Sequence, residues 1–180
     1  MRIIAGKYRG KKIIAPKNLP VRPTTDQAKE SLFNILQNRY TFEELEVLDL
    51  FSGTGNLSYE FLSRGVSKVV AVDANFACVT FQKRIKTELN LENFEPRKGD
   101  VLRALPSILQ KFDLIFADPP YQMKEIGELP ELILSSNILK PDGILILEHG
   151  PQTQYEDPRL IEHRKYGNVN FSFFQLTNKP

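Results

Sequence analysis

Residues 47–55 read Val47-Leu48-Asp49-Leu50-Phe51-Ser52-Gly53-Thr54-Gly55. This is a short apolar strand that runs without a break into a loop carrying two glycines. Asn56 to Arg64 follows at helical spacing and stops at Gly65. The alternation then continues with a strand over Lys68 to Val72 and a helix over Phe76 to Asn90. A weak strand over Phe94 to Lys98 and a helix over Val101 to Gln110, broken at Pro106, come next. Phe112 to Ala117 is a strong strand, Glu125 to Asn137 a largely helical stretch interrupted or bent near Pro130, and Ile144 to Glu148 another strand. Leu160 to Tyr166 and Val169 to Leu176 flank Gly167-Asn168, a hairpin turn. Strand and helix in strict alternation predict an α/β fold: a mostly parallel sheet with helices on both faces, closed by a C-terminal antiparallel hairpin.

Upstream of this core the chain changes character. Arg2 to Ala5 and Lys12 to Ala15 are apolar-rich arms around Gly6-Lys7-Tyr8-Arg9-Gly10, which predicts an N-terminal β-hairpin extension. Pro16, Pro20 and Pro23 mark an extended connection, and a helix begins near Thr25 with Ala28, Leu32, Ile35 and Leu36 as its buried stripe. The 180 residues carry a net charge of only +2. Residues 1–22 nevertheless hold seven cations and no acid, giving +7, and leave −5 to the rest. A basic leader on an acidic body points to an anionic partner met at one end. No apolar run approaches the ~18 residues of a membrane span. Met1 to Lys12 lacks a hydrophobic signal core. One cysteine, Cys78, and two histidines, His149 and His163, leave no internal disulfide and no metal-ligand spacing. A cytoplasmic protein without a membrane anchor or structural metal is the expectation.

Ligands in such sheets bind beyond the carboxyl ends of the strands. Four acids lie there. Asp49 lies toward the end of the first strand, ahead of Ser52 and of Gly53 and Gly55, the two glycines whose missing Cβ atoms let a ligand approach the backbone. Ser58 stands where a dinucleotide fingerprint has its third glycine. Asp73 ends the next strand, near the offset at which a carboxylate accepts from ribose hydroxyls; the competing reading is a helix cap. Asp100, before Val101, either accepts from an adenine amine or caps the next helix. Asp118-Pro119-Pro120-Tyr121 is the sharpest signal. The prolines remove two backbone donors and fix φ, so the elbow presents a carboxylate and a main-chain carbonyl beside a flat ring. Acceptors on the N–H groups of an exocyclic amine favour the geometry in which its lone pair becomes available, and Tyr121 can stack on the base.

These motifs resemble the class I S-adenosylmethionine-dependent amino-methyltransferases, with their Rossmann-like sheet. More narrowly the chain resembles the RsmD family of 16S ribosomal RNA guanine-N2 methyltransferases. Met1 to Lys12, Arg22-Pro-Thr-Thr-Asp26 leading into Ala28 to Asn34, and Glu60 to Gly65 carry that likeness. It implies a methyl-donor pocket of Asp49, Phe51, Ser52, Gly53, Gly55, Asp73, Asp100 and Val101. It implies catalysis and base recognition at Asp118, Pro119, Pro120 and Tyr121. It puts Arg22, Thr24 and Thr25 at the donor or substrate entrance, with a structured turn and helix cap as the alternative, while the charge of residues 1–22 places Lys7, Arg9, Lys11, Lys12 and Arg22 on the substrate's phosphates. Glu60 would orient the donor's amino-acid end or be a solvated helix residue. Residues 1–24 would be a basic hairpin and linker, 25–180 the methyltransferase domain. The partner implied is ribosomal RNA, free or in an assembling small subunit. The competing functions are an adenine-N6 DNA or RNA methyltransferase, a nicotinamide dehydrogenase that would leave the Asp-Pro-Pro-Tyr elbow without a role, and a non-enzymatic RNA-binding module.

Overall fold

The structure is a computed structural model and describes residues 1–19 and 24–176. Among the described residues seven strands form one sheet: β1 (Glu46–Leu50), β2 (Lys68–Asp73), β3 (Phe94–Lys98), β4 (Phe112–Ala117), β5 (Leu139–His149), β6 (Leu160–Tyr166) and β7 (Val169–Phe174). Their order is β3-β2-β1-β4-β5-β7-β6. The first five run parallel, and β7 pairs antiparallel with both β5 and β6. The chain lays β2 and β3 to one side of β1 and then returns to place β4 on its other side. The switch point therefore falls between β1 and β4, where a crevice opens beyond their carboxyl ends.

Alternation along the strands builds two cores. Val47, Leu114, Ile146 and Phe171 point to the layer of α1 (Asp26–Gln37), α2 (Asn56–Ser63) and α3 (Phe76–Glu88). Leu48, Val70, Ile115 and Leu145 point to the layer of α4 (Val101–Ala104) and α5 (Leu129–Ser135). A strand buried on both faces is nearly all apolar, which is why β1, β2 and β4 are so plain in the sequence. Pro96 lies within β3, and β3 is an edge strand, where a missing N–H costs no ladder bond.

Several sequence expectations change in detail. The helix expected over Val101 to Gln110 is one α-turn, α4, followed by a 3-10 turn at Leu105–Ser107 with Pro106 at its start. Of the two readings at Pro130, the helical stretch is interrupted there and not bent. Pro130 opens α5, in the first turn where its absent N–H has no partner to lose, and Lys124–Glu128 before it is 3-10. β5 begins five residues earlier than expected, at Leu139, and reaches Ile144 through an irregularity opposite β4. On α1 the buried set is Ala28, Lys29, Leu32, Phe33 and Leu36, with Ile35 only partly covered.

The N-terminal hairpin is shorter than its sequence suggests. One antiparallel bridge, Arg2 with Lys12, joins its arms. The next amides turn away from the ladder: Ile4 and Ala5 donate to the Glu60 carboxylate at 2.8 and 3.1 Å, and Lys7 N donates to Ser63 O at 2.7 Å. Gly6 is pressed so closely on the end of α2 that a Cβ there would lie 1.8 Å from Ser63 O. Ile3 and Ile13 enter the core beneath α1 to α3.

Candidate active site

A cavity of about 1650 Å³ opens over the β1/β4 switch point. Pockets for one drug-sized ligand usually measure ~300–1,000 Å³, so this one has room for a nucleoside and a second base. Backbone bonds between strand ends align its floor. Ser52 N donates to Val72 O at 3.1 Å, Gly99 N to Asp73 O at 3.0 Å, and Asp118 N to Leu50 O at 3.3 Å. These bonds bring the loops after β1, β2 and β4 side by side.

On one side the cavity is lined by Asp49, Phe51, Ser52, Gly53, Asp73, Asp100 and Val101. Phe51 holds φ at 57°, uncommon for a side chain this large, and Gly53 follows at φ 54°. Their amides are turned by that left-handed pair. Asp73 anchors the loop: its Oδ2 accepts from Gly53 N and its Oδ1 from Asn75 N, both at 2.8 Å. Asn75, not Asp73, caps α3. Each Asp73 oxygen keeps a further lone pair for a ligand hydroxyl. Asp100 does cap α4, accepting from Arg103 N at 3.1 Å, and still lines the cavity. Gly55 stands behind the wall: with φ 85° it caps α2, and a Cβ there would lie 2.8 Å from the Tyr59 ring.

Asp49 is buried, and Ser58 donates to its Oδ2 at 2.5 Å. Ser58 in the third glycine position thus has a partner to serve. Burial pushes the Asp49 carboxyl up to about 7; the Ser58 bond opposes the rise and the charge of Asp73 adds to it. Sequence reasoning misses Gln82 of α3. Its Nε2 donates to Ser52 Oγ at 2.9 Å and to Gly53 O at 2.7 Å, clamping the loop from behind. Cys78 is buried in the core and also borders the cavity. Three acids around this glycine loop suit a ligand that carries positive charge and hydroxyl groups.

Opposite stand Phe116 and the elbow Asp118, Pro119, Pro120 and Tyr121. The Tyr121 ring lies against Gly150, where a Cβ would come within 2.7 Å of it. Its hydroxyl donates to Glu148 Oε1 at 3.1 Å, and Thr24 Oγ1 donates to Glu148 Oε2 at 3.2 Å. Glu148 is buried at the carboxyl end of β5. One carboxylate therefore fixes both the aromatic platform and the residue leading into α1. The strand-end reasoning that finds Asp73 and Asp118 also finds Glu148, once β5 is recognised as the neighbour of β4. His149 beside it is a buried core residue: its ring contacts Gly150 O at 2.9 Å and Ser172 Oγ at 2.8 Å, and burial lowers its pKa.

The third side is the N-terminal arm, from Met1 and Arg2 to Lys12 to Lys17. Lys12 lines the cavity, whereas Lys7, Arg9 and Lys11 stay exposed outside it. Arg22 lies outside the described residues. Thr25 caps α1 through a bond from Ala28 N at 3.2 Å. Glu60 does not reach the cavity and is not solvated. Its side chain is fully buried, 3.5 Å from Lys29 Nζ and 2.9 Å from Arg64 Nε, and it accepts from the arm amides. Lys29 Nζ in turn donates to Arg2 O at 2.6 Å and Asn56 Oδ1 at 2.9 Å. Burial lowers the Lys29 pKa, against the pull of Glu60. No periodicity marks either residue, because a buried ion pair across two helices leaves each partner looking like a surface position.

The family model described as Conserved hypothetical protein 95 matches residues 1–175. Ribosomal RNA small subunit methyltransferase D of Escherichia coli K12 is 30% identical over 184 residues, which cover 97% of this chain and 89% of that protein. A hypothetical protein of Thermus thermophilus superposes with a TM-score of 0.82 at 26% identity, covering 97% of this chain and 99% of the other. The T. thermophilus 16S rRNA N2 G1207 methyltransferase RsmC, solved with AdoMet and guanosine, shares the fold at a TM-score of 0.68 and 24% identity, over 87% of this chain and 45% of its own.

Proposed function

The chain belongs to the family described as Conserved hypothetical protein 95, the RsmD-like methyltransferases, and we propose that it methylates the exocyclic N2 amine of a guanine in 16S ribosomal RNA, with S-adenosylmethionine as methyl donor. The observation that carries this is the meeting of two wall types in one cavity. The acid-and-glycine loop side offers a nucleoside site, and the Asp118–Tyr121 elbow faces it across the switch point.

The bound donor supplies an electrophilic methyl on a sulfonium. Asp73 takes the ribose hydroxyls, Asp100 and Val101 border the adenine, and the Asp49, Phe51, Ser52 and Gly53 stretch, backed by Gly55, holds the amino-acid end. Asp118 and the Pro119 carbonyl accept from the target amine and hold its lone pair toward the donor side, while Pro120 keeps the turn rigid. Tyr121, fixed by Glu148 and Gly150, stacks on a base swung out of its neighbours. Alignment of two bound reactants supplies much of the catalysis, so no covalent intermediate on the protein is required. Residues 1–24, with Lys7, Arg9, Lys11, Lys12, Arg22 and Thr24, form the RNA-docking arm of a methyltransferase domain spanning 25–180. The reaction takes place in the cytoplasm, on ribosomal RNA either free or in an assembling small subunit.

The test is incubation with labelled S-adenosylmethionine and ribosomal RNA or subunits from a strain lacking this protein, followed by nucleoside mass spectrometry. N2-methylguanine is expected. N6-methyladenine in its place overturns the substrate assignment and leaves the elbow chemistry standing; no label in either form overturns the activity.

A further inference from the structure

Two of the most exposed large apolar side chains in the molecule stand beside the cavity. Ile14, on the arm, is 83% exposed and lines the rim; Phe76, which opens α3 next to the cavity residues Asn75 and Cys78, is 68% exposed. Neither stabilises the core. Both stand among cations. Lys98 Nζ lies 5.9 Å from the centre of the Phe76 ring, within reach of its face. The solvent face of α3 continues from Phe76 through Thr80, Lys83, Arg84 and Thr87 at helical spacing. Its first acid, Glu88, is paired with Arg84 at 3.3 Å. Asp73 and Asp100 lie nearby but face the cavity.

The arm runs along this same helix. Tyr8 Oη donates to Leu89 O at 3.0 Å, and a groove of about 230 Å³ separates Lys11, Lys12 and Ile14 from Arg84 and Glu88. The cations of the arm and those of α3 thus border one strip of surface. It ends at the cavity rim in a bare aromatic ring. Alternating cations and exposed rings are what a single strand of nucleic acid requires, phosphates on the charges and a base on the ring.

We infer that the outer face of α3 and the arm form one track for single-stranded RNA, on which Phe76 stacks a nucleotide flanking the target base. This rests on the RNA substrate proposed above and assigns a second stacking position distinct from Tyr121. A duplex would not use it, because its bases offer no free face.

The experiment is fluorescence anisotropy with the full chain and a single-stranded RNA oligonucleotide, across a salt series, with the same sequence as a duplex for comparison. Phe76→Ala is expected to weaken single-strand binding by about tenfold, Phe76→Trp to retain it, and neither to alter the salt slope. Lys83→Gln and Lys98→Gln are each expected to reduce that slope by about one counterion. S-Adenosylmethionine affinity by calorimetry stays constant in all four. Unchanged RNA affinity in a Phe76→Ala protein with native circular dichroism overturns the inference. So does a loss of donor affinity with RNA binding intact, which makes Phe76 a cover over the donor, and so does equal loss on single strand and duplex. Methylation of ribosomal RNA by the unsubstituted protein is scored separately: if it proceeds while Phe76→Ala binds normally, the track fails and the activity stands.

Discussion

The strand-end walls of the cavity and its arm wall are held by different forces. The first are made of backbone: loops at the ends of β1, β2 and β4 are fixed because the strands are hydrogen-bonded neighbours, and their side chains inherit that placement. The arm wall has one bridge of its own and is held from outside, by Ile3 and Ile13 in the core and by the ionic cluster of Glu60, Lys29 and Arg64 buried between α1, α2 and the arm. The difference teaches where the molecule tolerates change. Substitutions at the strand ends remove chemistry from a frame that persists, whereas substitutions in the ionic cluster let a wall move with the chemistry untouched.

Substitution in the ionic cluster is therefore expected to cost the most. Glu60→Ala leaves Lys29 buried without its anion and releases two arm amides. A loss of about 3–5 kcal/mol in denaturant unfolding is expected, with faster hydrogen exchange at Ile4 and Ala5. Unchanged exchange at those amides would show that the arm is held by its apolar residues alone. Next is Asp118→Ala, which in the proposed mechanism lowers single-turnover methylation by about 100-fold at saturating donor, with donor affinity and stability preserved. A near-normal rate breaks the assignment of the elbow.

The third prediction sharpens the contrast through pH. The Asp49 carboxyl is raised by burial, so the folded protein holds its proton while the unfolded chain has lost it. Stability from this group is full below the unfolded value, near 4, and is lost as pH rises to about 7. Asp49→Asn removes the titration and should gain about 1–3 kcal/mol relative to the natural chain between those limits, read from urea midpoints. A parallel pH profile for the two proteins contradicts it. The smallest effect belongs to Tyr121→Phe. The ring remains, but the bond to Glu148 is lost, so KM for RNA should rise about three- to tenfold with stability lowered by about 1 kcal/mol.

The same division decides what can be read from sequence. Asp49, Asp73 and Asp118 are legible because strand, turn and acid are contiguous in the chain and the topology does the rest. Glu148 obeys that logic and ends a strand that the sequence does show, but nothing local shows that this strand lies beside β4 and brings its carboxyl end to the same crevice. Lys29 and Glu60 are 31 positions apart, and only their meeting in space distinguishes them from solvated residues on amphipathic helices. The hairpin reads as longer than it is for the converse reason: its alternation suits a ladder, and nothing local shows that Glu60 takes the amides. Pro106 and Pro130 do mark boundaries, but whether a proline ends or begins a helix depends on which side packs.

An open sheet has two unpaired margins, and each can recruit a strand from another molecule. Here β3 carries Pro96 in its middle, and β6 carries Glu162, His163, Arg164 and Lys165 in succession. A missing donor at one margin and a run of charge at the other make both poor templates for strand addition. The protein should therefore resist edge-to-edge fibril growth at concentrations where a sheet of this width with bare apolar margins would not.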